Sequence, residues 1–249
     1  MTATSPADRR YDLHCHILPW VDDGAADLSD SLAMARQAAD DGIGTICATP
    51  HIHVDHDVVI DEIAARVAVL NATLEAAGID LTVVPGGELS APLADRLTDA
   101  ELRAVSLGGT GHWLLVEPAP GPMDDALEAV VDHLHGRGVR CVIAHPERHA
   151  GADAADRLRA LVDRGCLVQV TSAFLVGHGA APVMLEWAQA GLVHLVASDA
   201  HSAKIGRPAT VSTGLGALSV VPRIEAHMAW IAHEAPRAVL AGEPVTPPF

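Results

Sequence analysis

The sequence predicts an α/β fold whose parallel sheet curls into a closed or nearly closed barrel within one domain. Three observations lead there. Seven apolar runs of strand length alternate with segments of helical period, five of those segments stop at a glycine, and no linker or low-complexity stretch divides the 249 residues. Strands alternating with helices call for right-handed crossovers and a parallel sheet. Seven such units favour a barrel over an open doubly wound sheet, and β/α barrels fill this length as one domain.

Each element follows from its own residues. The strands are expected at 11–18, 43–49, 81–85, 113–116, 140–144, 167–171 and 193–198. Residues 1–10 are polar and are expected to be disordered or extended, so the barrel domain spans 11–249. Between the first two strands, Leu32, Ala35, Ala38 and Ala39 recur at helical spacing over 28–41 before Gly42 stops the pattern. Further helices are expected over 60–77, 124–137, 154–164 and 182–190, ending at Gly78, Gly138, Gly165 and Gly191. Glycine is favoured just past a helix because the chain turns there through a left-handed conformation. Residues 91–111 read as a short helix plus a turn. After Ala209 the chain reads as helical to about Leu240, with a break near Pro222, and these last helices are expected to cover the barrel.

Composition narrows the function. Hydrophobic residues make up 49% and aromatic ones only 3%, so the core rests on small aliphatic side chains. A formal charge of −16 with no basic stripe argues against nucleic acid and against anionic membrane surfaces. An anionic substrate is still allowed, because bound cations reverse the local sign. The four cysteines lie inside apolar runs without CxxC pairing, and no apolar stretch approaches the ~20 residues of a membrane span. A cytoplasmic protein with reduced, buried thiols is expected.

The chemistry is carried by polar residues at the tails of the apolar runs. They are His14 and His16, His51, His145 and Arg148, Asp199 and His201, with Glu88 and Glu117 ending similar runs and Asp23 in an Asp-Asp-Gly turn. In parallel α/β folds the C-terminal strand ends form the site, so residues remote in sequence converge there. His14 and His16, two apart on a strand, share a face, and Cys15 points away. Nine candidates (His14, His16, Asp23, His51, Glu88, Glu117, His145, Asp199, His201) exceed what one ion can use, whereas two or three ions with bridging carboxylates can use them. Four carboxylates against three divalent ions leave a net positive site that a phosphate monoester dianion would neutralise. Arg148 and Arg207 stand close to the set as guanidinium forks for phosphoryl oxygens. His53 and His56 are expected in a loop. His112, His133, His135, His149, His178, His194, His227 and His233 read as surface or packing residues.

These stretches resemble the polymerase-and-histidinol-phosphatase (PHP) superfamily, and within it the bacterial CpsB-like manganese-dependent protein-tyrosine phosphatases. The likeness is carried by Asp12 to Pro19 with Asp22-Asp23-Gly24, Ala48-Thr49-Pro50-His51, Pro85-Gly86-Gly87-Glu88, Leu114 to Glu117, Ile143 to Arg148 and Val196 to His201. The resemblance implies a distorted seven-stranded β/α barrel with a trinuclear site. In it His14, His16, Glu88 and Asp199 would hold one ion, Glu88, Glu117 and His145 a second, and Asp23, His51 and His201 a third. It further implies Mn²⁺, with iron or zinc as alternatives, and a tyrosine-phosphorylated substrate, notably a kinase governing exopolysaccharide synthesis. Arg148 and Arg207 would bind the phosphate, and a metal-activated hydroxide would attack phosphorus in line, with His201 available to assist proton transfer.

Other readings compete. A histidinol-phosphate or small-molecule phosphomonoesterase of the same superfamily fits the same ligands. An amidohydrolase-type C–N hydrolase usually needs a bridging lysine, and the only lysine, Lys204, lies past the last strand. A cysteine-dependent phosphatase needs Cys-x5-Arg, which no cysteine here satisfies. A non-catalytic module using metals as staples would tolerate loss of His201 or Arg148.

Overall fold

The computed structural model describes residues 9–177 and 179–249. The expectation for residues 1–10 therefore lies outside the described residues except at Arg9 and Arg10, and so does that for His178. The chain runs β1 (Arg10–Cys15), α1 (Leu28–Asp40), β2 (Ile43–Ala48), β3 (His51–Ile52), α2 (Ile63–Ala76), β4 (Thr82–Pro85), β5 (Glu88–Ser90), α3 (Asp99–Ala104) and β6 (Trp113–Glu117). It continues through α4 (Asp125–Gly136), β7 (Arg140–Ile143), α5 (Ala154–Asp163), β8 (Leu167–Thr171), α6 (Ala181–Gln189), β9 (Leu195–Ala197), α7 (Ser212–Leu218), α8 (Pro222–Glu225) and α9 (Ala235–Leu240).

Every strand pairing is parallel. β1, β2 and β4 make one three-stranded sheet, and β3, β5, β6, β7, β8 and β9 follow one another in a six-stranded one. Two of the seven expected strands, at 43–49 and 81–85, are matched by β2 and β4 but are each followed by a further short strand, β3 and β5, beyond the expected bounds. β2 and β3 are separated at Thr49-Pro50, where proline brings no N–H to a ladder. β4 and β5 are separated at Gly86-Gly87, where the chains approach so closely that a Cβ on Gly86 would lie 2.6 Å from Cys47 Sγ. The ends of β1 and β9 meet: Asp199 N donates to His14 O at 2.8 Å, and His16 N donates to Ala200 O at 2.9 Å. Buried Asp12 fastens the same seam by accepting from Ser198 N at 3.0 Å.

The helices form where the sequence placed them because their buried residues recur at helical spacing, as Ile63, Val67, Leu70 and Leu74 do along α2. Asp27 caps α1 by accepting from Asp30 N, and Gly42, at φ 83°, turns the chain into β2. Within 91–111, α3 starts from a capping box between Thr98 and Glu101. The region after Ala209 contains α7, α8, a π-helical turn over Trp230–Glu234, and α9.

Burial divides into two layers. The helices pack on the outside of the sheet through Met34, Val67, Leu127, Leu158 and Trp187. A second cluster of Leu13, Cys47, Trp113, Leu115, Val142 and Leu195 is closed by Ala235 and Val239 of α9. Truncating one such leucine to alanine costs about 2–5 kcal/mol, a large share of a domain's stability. No helix among the described residues is long and apolar enough to cross a membrane.

Candidate metal centre

All nine candidate ligands gather at the C-terminal ends of the strands. The pairing of β1 with β2 shifts register between Asp12 and Cys15. Leu13 consequently packs in the inner cluster while Cys15, two residues on, packs in the outer one. Bulges near sites re-aim side chains in this way, and this one turns both His14 and His16 toward the centre. Backbone strain accumulates at the same place. His145 adopts φ 27° and Asp199 φ 51°, a conformation that non-glycine residues rarely hold unless their surroundings demand it.

Geometry fixes the imidazole tautomers. His14 Nδ1 donates to Gln169 Oε1 at 2.9 Å, and His16 Nδ1 donates to Asp22 Oδ2 at 2.7 Å. In the neutral rings both Nε2 atoms are left with lone pairs, yet they face each other at 3.2 Å. Glu88 Oε2 lies 3.2 Å from the first and 3.4 Å from the second, and Asp199 Oδ1 lies 3.5 and 3.7 Å away. Four electron-rich atoms converging in a buried space repel one another unless a cation stands between them. Further round the rim, His51 Nδ1 is 2.9 Å and His145 Nε2 2.7 Å from the Glu88 carboxylate. Glu117 Oε1 is 3.8 Å from His145 Nε2, and Asp23 Oδ1 is 3.4 Å from His51 and 3.5 Å from His201.

Titration carries the same message. Burial alone would lower the His16 imidazole, but the Asp22 and Glu88 carboxylates beside it outweigh burial and raise it to about 10, so a positive charge is favoured where its Nε2 meets Glu88. Burial likewise opposes ionisation of Glu88, and His14, His145 and His16 hold it well below the usual carboxylate range. Burial and the Glu88 charge push Glu117 up to about 7. Burial and nearby His16 bring His201 down to about 4, so its ring is neutral at pH 7. The cluster demands positive charge, which protons supply only in part. Glu88 Oε2 and Asp199 Oδ1 are buried with no hydrogen-bond partner, which fits oxygens that would ligate a cation. The donor set of imidazoles and carboxylates suits divalent ions of the Mn, Fe and Zn kind.

Arg148 and Arg207 border this cluster. Arg148 Nη2 pairs with Asp199 Oδ2, while Arg207 Nε donates to the Asp199 carbonyl at 2.7 Å and Nη2 lies 3.2 Å from its carboxylate. Phe174 underlies both guanidiniums, at 5.5 and 5.9 Å. A cavity of about 330 Å³ opens beside them, lined by His51, His53, His56, Glu117, Arg148 and His149 among others.

Over residues 10–220 the sequence matches the family described as capsular polysaccharide synthesis, CpsB/CapC. The chain belongs to the CpsB/CapC family. Tyrosine-protein phosphatase YwqE of Bacillus subtilis (strain 168) is 37% identical over 207 residues, 78% of each chain. Tyrosine-protein phosphatase CpsB of Streptococcus pneumoniae is 25% identical over 205 residues, 77% of this chain and 82% of the relative. A crystal structure from work on these two proteins, described as unique metal-dependent tyrosine phosphatases, superposes with a TM-score of 0.81 at 30% identity. The superposition covers 95% of this chain and 96% of the other.

Within this CpsB/CapC chain some participants escaped the sequence reading. Asp22 and Gln169 set the tautomers of His16 and His14, as outer carboxylates and amides do around metal-bound histidines. Gln169 was visible as a polar residue inside an apolar strand. Phe174 and its two arginines come together only through the fold. His149, expected as a surface or packing residue, is buried with its ring stacked on His145 and a donor atom near Glu117. His53 and His56 line the mouth, with the His56 ring stacked on His51 at 4.9 Å.

Proposed function

We propose that this protein is a metal-dependent phosphomonoesterase that hydrolyses phosphotyrosine on proteins, in the regulation of exopolysaccharide or capsule synthesis. The observation that carries the reading is the buried convergence of His14, His16, Glu88 and Asp199 donors, bordered by two guanidiniums. Family membership and the names of its relatives support the substrate class. His14, His16, Glu88 and Asp199 would hold one ion, Glu88, Glu117 and His145 a second, and Asp23, His51 and His201 a third. Mn²⁺ is the proposed metal, with two to three ions bound. Counting β2 with β3 and β4 with β5 as one strand each gives a distorted seven-stranded barrel closed at the β1–β9 seam in this reading.

Bound divalent ions supply charge neutralisation and activation of water. The chain's own residues do the rest. Arg148 and Arg207 exchange the Asp199 carboxylate for phosphoryl oxygens and hold them as charge builds. Phe174 keeps both guanidiniums in place. Asp22 and Gln169 hold the HxH imidazoles in the ligating tautomer. His201, neutral at pH 7, serves as a ligand. A phenolate leaves with a conjugate-acid pKa of about 10, so it needs less proton donation than an alkoxide. The proposed partner is a tyrosine-phosphorylated protein, a bacterial tyrosine kinase among them, encountered in the cytoplasm. The test compares turnover of a phosphotyrosine peptide with histidinol phosphate, with added Mn²⁺ and after chelation. Faster, metal-dependent turnover of the peptide is expected. Preference for histidinol phosphate would overturn the substrate assignment, and activity indifferent to chelation would overturn the metal.

A further inference from the structure

We propose that His149 is an additional metal ligand, completing a nitrogen-rich corner with Glu117 and His145. This inference rests on the metal-dependent reading above. His149 ends the turn over Pro146–Arg148, and its backbone is pinned on both sides: its N donates to Pro146 O at 2.9 Å, and its O accepts from Met123 N at 3.0 Å. The ring has no freedom to reorient cheaply, because Nδ1 donates to the Gly121 carbonyl at 3.0 Å. That bond assigns the tautomer. The proton is on Nδ1, so Nε2 carries a lone pair.

Nε2 is buried and has no hydrogen-bond partner, and the residue is only 8% exposed. A packing histidine in that position would leave an acceptor unsatisfied at a cost of about 1–3 kcal/mol. What surrounds it is a ligand set. Glu117, His145 and His149 each offer a donor atom, and the three atoms lie within 4.8 Å of one another. The His149 ring stacks on that of His145 with centroids 5.9 Å apart. A backbone carbonyl on one ring nitrogen, an unpartnered lone pair on the other and a neighbouring carboxylate are the arrangement that metal-binding histidines adopt.

The added imidazole has a chemical consequence. A corner of two nitrogens and a carboxylate favours metals later in the first transition row over Mn²⁺ more strongly than one nitrogen and carboxylates would. His149 thereby tunes which ion occupies that corner.

Metal-stripped full-length protein is titrated with Co²⁺ alone, followed by visible absorbance, and with Zn²⁺ against a chromophoric chelator. The same is done for His149→Phe and for His149→Gln, whose side-chain amide can still donate to Gly121. One equivalent is expected to weaken at least about tenfold in both variants and to change its Co²⁺ spectrum, while the others keep their affinity. Circular dichroism identifies the variants that are folded. Every equivalent keeping its wild-type affinity and spectrum in a folded variant overturns the proposal and leaves the phosphatase reading standing. A wild-type protein that takes up no Co²⁺ or Zn²⁺ overturns both.

Discussion

Replacing Asp22 by asparagine tests how much of the metal centre depends on a residue that touches no ion. The Asp22 side chain is 1% exposed and accepts three hydrogen bonds: His16 Nδ1 at 2.7 Å, His51 N at 2.9 Å and Gly24 N at 3.0 Å. Oδ2 takes the first two and Oδ1 the third. Asparagine has one oxygen. Placed toward His16 and His51, it sets an NH2 against the Gly24 N–H; flipped, it sets the NH2 against the other two donors. Either way at least one buried N–H loses its partner, at a cost of about 1–3 kcal/mol. For a chain of this size that lowers the melting temperature by about 2–4 °C per kcal/mol. His16 also loses the carboxylate that makes it a stronger ligand, which typically weakens metal affinity by about 10–100-fold. Calorimetry of the stripped protein reads the first effect, and chelator competition reads the second. Unchanged melting and unchanged affinity in Asp22→Asn would refute the tautomer argument on which the metal centre rests.

Three further outcomes are expected. Arg148→Lys replaces a planar fork by a point charge, so kcat/KM on a phosphotyrosine peptide should fall by about 10²-fold or more with metal content unchanged; equal activity would remove Arg148 from the phosphate site. Phe174→Ala removes the ring beneath both guanidiniums, worth about 0.5–1 kcal/mol each at partly exposed sites, and should raise KM several-fold; an unchanged KM would make Phe174 a packing residue only. Buried His194 accepts from Val168 N at 3.0 Å, and burial brings its pKa from 6.5 down to about 4. Its neutral form therefore stabilises the fold above pH 6.5, and that contribution, about 3 kcal/mol at most, is lost as pH falls toward 4. His194→Gln should flatten this part of the unfolding-versus-pH curve, and a curve of unchanged slope would refute the assignment.

The candidate ligand positions other than Asp23 were legible because each sits beside an apolar run whose end the sequence marks, from His14 after Tyr11-Asp12-Leu13 to Asp199 after Val196-Ala197-Ser198. The helices were legible through their periodicity and their terminal glycines. What sequence could not assign were contacts made by pairs far apart in the chain. Gln169 meets His14 across 155 positions, and nothing local to either names the other. His149 looked like seven other histidines without context, since its meaning comes from the Gly121 carbonyl that fixes its ring. The proline and the pair of glycines marked where the second and third expected strands end, but the two- and three-residue strands β3 and β5 beyond them are too short to show a pattern of their own.

The seam between β1 and β9 bears on how the protein is made. Synthesis runs from the N-terminus, so His14 and His16 leave the ribosome well before Asp199 and His201 do. Until the final strand docks, the early imidazoles have no counterpart across the seam to complete their cage. The candidate ligand set is thus complete only once the late strand has docked on the early one, and a chain halted before Asp199 would carry only part of it.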